Sequence, residues 1–199
     1  MSQKPHYAKE IPESETQKFA KYLSEDEELI VATGYGHTYL RQKFMIQIML
    51  PGAVYMLAGI LLAYFQKFDL LYGFIGGIIL AVASSTLQTW IIYQSNRYLL
   101  TTRRVMVKHG FFRVRLSSAL YDKITHIEVD QGLIDRFLLH HGTIIVNTAG
   151  ANKDELILKY VEYPLEFKNV LERLIHQERE YFRRNPEVLE EIEGELVDR

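Results

Sequence analysis

Adjacent histidines at 140 and 141, and bases and rings crowded together at Lys108, Phe111, Phe112, Arg113 and Arg115, are the residues of this chain whose types and spacing invite chemistry. Consecutive residues on a strand point to opposite faces, so His140 and His141 cannot chelate one metal together and are expected as surface polar groups. The glutamates beyond Asn185 repeat without the Asp, Asn and Gly spacing of a calcium loop, and a solvated helix face is expected there. No phosphate-cradling Gly loop, HExxH, GxSxG or dinucleotide fingerprint occurs. The chain has no cysteine, which excludes disulfides, thiolate metal sites and cysteine nucleophiles. No catalytic residue, metal site or cofactor is therefore expected. What remains is the cluster from Lys108 to Arg115. Two aromatic rings among three cations suit the headgroup layer of a membrane, where rings partition and cations meet anionic lipid.

The elements that must position this cluster begin with two apolar runs. Phe44 to Phe65 is 22 residues without a charge, and Leu70 to Tyr93 is 24 more. A helix of the shorter length is roughly 33 Å long at ~1.5 Å per residue, which matches a bilayer core of about 30 Å. The chain's mean hydropathy of -0.08 and net charge of -2 conceal this concentration. Charge is just as uneven: residues 1–43 carry net -1, 44–93 net 0, 94–138 net +4 and 139–199 net -5. The basic block directly follows the second run.

The linking residues "QKFD" force an antiparallel helical hairpin. Arg41, Lys43, Arg97, Arg103, Arg104 and Lys108 flank its outer ends, against Lys67 at its tip, so both termini are expected in the cytoplasm and the hairpin in the plasma membrane. The first run starts at residue 44 and no basic–apolar–small pattern opens the chain, so no cleavable signal peptide is expected. Small residues recur at Gly73, Gly77, Ala81 and Ser85, a face that packs either on the first helix or on a second copy. No ionisable group interrupts either run, which weighs against a proton or ion pathway.

From Asn96 the apolar period switches to two. "RYLLT", "RVMVKH", "FRVRLS", "ITHIEVD", "TIIVNTA" and "ELILKYV" read as six short strands, with tight turns at "TTRR" and "HG" and a longer connection at "QGLIDRFLLHHG". Phe111 and Phe112 then point to opposite faces, so one is expected in the core, unless the tip is looped. Upstream, "LIVATGYG" at 29–36 is a short strand-like stretch that adds to the later sheet. The last element is a helix with Pro164 near its start and Phe167, Val170, Leu171, Leu174 and Tyr181 on one face. The predicted fold class is an α+β membrane protein. A two-helix transmembrane hairpin precedes a small β-barrel or sandwich capped by a C-terminal helix. The segments are a cytoplasmic stretch 1–43, the hairpin 44–93 with spans 44–65 and 70–93, a β domain 94–183, and an acidic tail helix 184–199.

"NRYLLTTRRVMVKHGFF", "KITHIEVDQGLIDRFL" and "GTIIVNTAG" resemble the bacterial pleckstrin-homology-like domain of the YdbS-like membrane proteins. The matching positions include Tyr98, Leu100, Arg104, Gly110, Phe111 and Phe112, then Gln131, Gly132, Arg136, Phe137, Gly142 and Gly150. The resemblance spans about residues 40–176, and its members often carry a two-helix hairpin before the domain. His140-His141 stands where apolar residues are the pattern. The resemblance implies two packed sheets capped by a helix. It implies neither phosphoinositide binding nor a catalytic residue. Gln131, Gly132 and Arg136 are either structural or part of a ligand groove.

Taken together these residues predict a membrane-anchored, non-catalytic binding or scaffold module. Its expected partners are the lipid bilayer, with anionic headgroups, and either a second copy or another membrane protein; no nucleic acid is expected. The alternative is an accessory subunit of a larger transport or envelope complex, docked through the hairpin. Purification in mild detergent distinguishes a self-assembled particle from a stoichiometric foreign partner.

Overall fold

An apolar run offers its backbone no side-chain partners, so its N–H and C=O groups are satisfied by helix, and two long helices occupy both runs. The computed structural model of the chain describes residues 7, 11–24, 27–133, 135, 140–149 and 155–184. In chain order the elements are α1 (Glu13–Phe19), β1 (Leu29–Gly34), α2 (His37–Gln66), α3 (Leu70–Ser95), β2 (Asn96–Thr101), β3 (Arg104–His109), β4 (Arg115–Leu120), β5 (Ile124–Asp130), β6 (His141–Thr148), β7 (Leu156–Glu162) and α4 (Pro164–Arg184). The acidic tail beyond residue 184 lies outside the described residues, as do Arg136 and Phe137 of the β5–β6 connection.

α2 has 30 residues and α3 has 26, each long and apolar enough to cross a membrane. Lys67 ends α2 in the left-handed region, φ 59°. Asp69 caps α3, its Oδ1 accepting the Leu71 N–H at 3.1 Å. Small residues let the two backbones approach: Gly59 meets Gly73, Gly77 meets Met56 and Gly52 meets Ala81. Ala81 and Ser85 are buried in the same seam. The polar residues of the helices pair with one another. Gln47 Nε2 donates to Gln88 Oε1 (2.6 Å), Gln88 Nε2 to Ser84 Oγ (3.3 Å) and the Ser84 hydroxyl to Tyr55 OH (3.4 Å).

The strands form two antiparallel sheets, in the orders β1-β2-β3-β4 and β5-β6-β7. Alternation sends Tyr98, Leu100, Val105 and Val107 of the first sheet against Ile144, Val146 and Leu158 of the second. α4 closes the core with Phe167, Leu171, Leu174 and Ile175. Tyr181 departs from its expected place and is exposed, because Ile175 is the last side chain that α4 buries. The core tyrosines keep their hydroxyls paired: Tyr98 donates to the Lys159 carbonyl (2.9 Å) and Tyr121 to that of Thr101 (2.7 Å).

The N-terminal stretch is built into the domain. β1 pairs antiparallel with β2, extending the first sheet. Phe19, Tyr22 and Leu23 cover Leu99 and Met106 on the sheet's other face. Glu27 is buried there and accepts from Arg104 Nε (2.9 Å), Arg104 Nη2 (2.7 Å) and the Thr101 hydroxyl (2.5 Å). Burial pushes the Glu27 carboxyl up, but these bonds and the Ser24 amide outweigh it and hold the group below its usual value.

Candidate functional site

α3 runs into β2 without a linker, and the register of β2 with β3 puts Asn96 opposite His109. The β3–β4 turn therefore returns to the end of the helix. Asn96 secures the junction: its Nδ2 donates to the Ile92 carbonyl (3.0 Å), and its Oδ1 lies 2.9 Å from His109 Nδ1. Burial, and then the nearby Lys159, keep the His109 imidazole below its usual pKa, so the ring is neutral and donates from Nδ1.

Pairing between β3 and β4 begins at His109 opposite Arg115. Gly110 to Val114 thus form a longer turn, not the two-residue His-Gly turn expected, and the fourth strand begins at Arg115 instead of Phe112. Gly110 has φ +93°, and a Cβ there would overlap the Arg113 carbonyl oxygen, so the turn needs glycine. The expectation that one phenylalanine enters the core fails. Phe111 is 39% exposed and Phe112 93%, because neither lies in a paired strand that would turn a ring inward. Phe111 stands edge-on to Trp90 at 5.5 Å between ring centroids, and Phe112 edge-on to Phe111 at 5.1 Å. Trp90 sits five residues before the end of α3, roughly 8 Å back along its axis at ~1.5 Å per residue. The turn thus reaches past the helix end and lies alongside the last turns of α3. Exposed Val114 and Leu116 extend its apolar surface.

The cations flanking the helices divide into two groups. Arg97 is buried, its guanidinium 4.0 Å from the Tyr93 ring centroid and 3.6 Å from Glu15, and Arg104 is held by Glu27. Lys108, Arg113 and Arg115 make no ion pair among the described residues. Arg113 and Arg115 are exposed. The start of α2 is tied down as firmly as the end of α3. The Gly36 N–H donates to the Tyr160 carbonyl (2.7 Å) and the His37 N–H to Glu162 Oε2 (3.2 Å). Both helices therefore leave the β domain in fixed directions.

Sequence reasoning placed His140 and His141 together at the surface; His141 is instead buried, 3% exposed. The β6 register turns it inward beneath Tyr39 and Tyr160. His140 has φ 51° and precedes the strand. Gln131 is structural, its Nε2 donating to the His141 carbonyl (3.2 Å). No local signal in the sequence links Trp90 to Phe111.

Residues 47–177 match the family described as "Bacterial PH domain". The chain belongs to this family. A solved structure resembling this bacterial PH domain protein is a DUF1696 family protein with a pleckstrin-homology domain from Shewanella loihica PV-4. It aligns over 83% of this chain and 99% of its own, at 11% identity and a TM-score of 0.43. No curated protein matches the chain. The family is generally one of non-catalytic binding modules.

Proposed function

We propose that this bacterial PH domain protein is a membrane-anchored, non-catalytic binding or scaffold module of the YdbS-like type. α2 and α3 cross the plasma membrane with both termini cytoplasmic, and the PH-like domain docks on the inner leaflet through its β3–β4 turn. The observation that carries this reading is the placement of Phe111 and Phe112 outside the core, Phe111 beside Trp90, in a turn that also carries Arg113 and is flanked by Lys108 and Arg115, none of the three in an ion pair among the described residues. Inserting one phenylalanine contributes roughly 1.5–3 kcal/mol at most, and each nearby cation about 1 kcal/mol on an anionic leaflet. Those terms hold down a domain already tethered by two helices, although they would hardly recruit a free one.

The test moves the chain's one tryptophan. In a Trp90→Phe background, tryptophan is installed at Phe111, at Phe112 or at Thr102, which lies at the far turn of the β2–β3 hairpin. Brominated anionic lipid is expected to quench 111 or 112 strongly and 102 weakly. Equal, weak quenching at all three would refute the docking. Cysteines placed at Ser2, Gln66 and Asn185 in this Cys-free chain report the topology, with impermeant maleimide on intact cells expected to label only position 66. Mild-detergent purification tests the alternative of an accessory subunit, which would co-purify with a stoichiometric partner.

A further inference from the structure

An open groove of ≈ 800 Å³ lies at the far end of the first sheet, but a second one, ≈ 710 Å³, lies where α2 leaves the domain. Its walls are Tyr39, Lys43 and Ile46 of α2, Leu133 and Asp135 after β5, and His141 with Tyr160. Three features set it apart. First, His141 is buried, yet neither ring nitrogen has a hydrogen-bond partner among the described residues; Nδ1 lies 3.7 Å from Asp135 Oδ1, too long for a hydrogen bond. Buried polar groups are rarely left so. Second, the ring is held in place. Tyr39 and Tyr160 stack at 3.8 Å, each presenting an edge-on contact to His141, and Tyr160 adopts φ 54°, uncommon for a bulky residue. Third, the groove opens at Ile46 onto the apolar surface of α2, where Met45, Met49 and Leu50 are exposed.

Among the described residues the charges at this mouth are mixed: one ammonium on Lys43, one carboxylate on Asp135, and an imidazole that burial holds neutral. A purely anionic headgroup would meet the Asp135 carboxylate. A headgroup carrying both a phosphate and a primary ammonium complements all three. Its phosphate oxygens accept from Lys43 and from the His141 N–H, and its ammonium donates to Asp135. An acyl chain then follows Leu133 and Ile46 toward α2. We propose that this groove binds one aminophospholipid from the bilayer, with His141, Lys43 and Asp135 reading its phosphoethanolamine head. The proposal rests on the membrane-anchored reading above and adds a specific lipid site distinct from the β3–β4 turn.

The full chain is incorporated into nanodiscs of equal parts phosphatidylethanolamine, phosphatidylcholine and phosphatidylglycerol, and native mass spectrometry reads the lipid it retains. Phosphatidylethanolamine is expected to exceed each of the others roughly tenfold, about 1.4 kcal/mol, at one molecule per chain. Asp135→Asn, at a half-exposed position, is expected to abolish that preference while the chain stays folded. His141→Gln, which keeps a donor, is expected to retain lipid better than His141→Phe. Equal retention of the three lipids by the unaltered chain would overturn the proposal, as would unchanged selectivity in Asp135→Asn. Free phosphoethanolamine displacing the lipid at equal concentration would overturn the bilayer source. A chain that fails to enter nanodiscs at all refutes the membrane reading itself, whereas one that enters without selectivity refutes only this site.

Discussion

Replacing Gly73 by alanine tests whether the seam between α2 and α3 is as close as it stands. A Cβ on Gly73 would overlap the Gly59 carbonyl oxygen and lie 2.6 Å from Ala63 Cβ, both on the facing helix. Neither is the far end of a flexible side chain, so the two helices must part by about 1 Å, and overpacking of this kind costs roughly 1–3 kcal/mol. Gly76 lies three residues further along the same helix, and a Cβ there would meet nothing within 4 Å. Gly76→Ala is therefore free to gain the helix-propensity difference of roughly 0.5–1 kcal/mol. For a chain of this size 1 kcal/mol moves Tm by about 2–4 °C. Gly73→Ala is thus expected to melt several degrees below the unaltered protein in detergent, and Gly76→Ala at or slightly above it. Helical circular dichroism follows the melt, and size-exclusion chromatography follows the particle. Equal melting of the two variants would refute the close packing. A smaller particle from Gly73→Ala at unchanged Tm would refute packing within one chain and assign the face to contacts between copies.

The clamp on the N-terminal stretch is expected to behave as a buried ion pair. Arg104→Met leaves the Glu27 carboxylate buried without its partner and should cost about 3–5 kcal/mol, read by denaturant unfolding and by proteolytic release of residues 11–24, while Glu27→Met/Arg104→Met should cost less than Arg104→Met alone. In the unaltered protein the Glu27 carboxyl is held below its usual value, so its stabilisation is present above its unfolded-state pKa and is lost as pH falls through the folded one. Glu178 on α4 has the opposite sign. Burial raises its carboxyl to about 7, against the pull of Arg103 and helped by Asp122 and Glu27, and its Oε2 has no hydrogen-bond partner among the described residues. The folded state then binds the extra proton, so stability contributed here falls as pH rises from about 4.5 to about 7. Glu178→Gln should flatten that slope and stabilise the domain at pH 7.5 more than at pH 5; an unchanged pH profile would show that the carboxyl is not perturbed.

Several features were legible because they are local. The two uncharged runs, the period-two strands from Asn96 and the amphipathic spacing of Phe167, Leu171 and Leu174 each appear within one segment, and apart from "FRVRLS" each became the element expected. "LIVATGYG" also contributed its strand to the sheet. The fourth strand was misplaced for a physical reason. "FRVRLS" alternates apolar and basic residues as evenly as a paired strand does, with Phe112, Val114 and Leu116 on one parity and Arg113 and Arg115 on the other. Alternation carries no information about which neighbour is paired. Strand β3 set that limit at His109 opposite Arg115 and left both phenylalanines in the turn.

By itself the sequence determined the order and type of the elements, the hairpin of apolar helices, and the basic-aromatic character of the turn after β3, since these follow from period and composition along the chain. Only the tertiary structure decided what those side chains meet. It buried Arg97 beside Glu15 and set the half-buried Arg104 on the buried Glu27, both carboxylates from the N-terminal stretch, and left Lys108, Arg113 and Arg115 without ion pairs among the described residues. It turned His141 into a groove beneath Tyr39 and Tyr160, which stand 102 and 19 positions from it in the chain. It also brought Phe111 to Trp90 across the junction of α3 with β2. Burial and pairing depend on segments distant in sequence, and no local pattern encodes which distant segment will arrive.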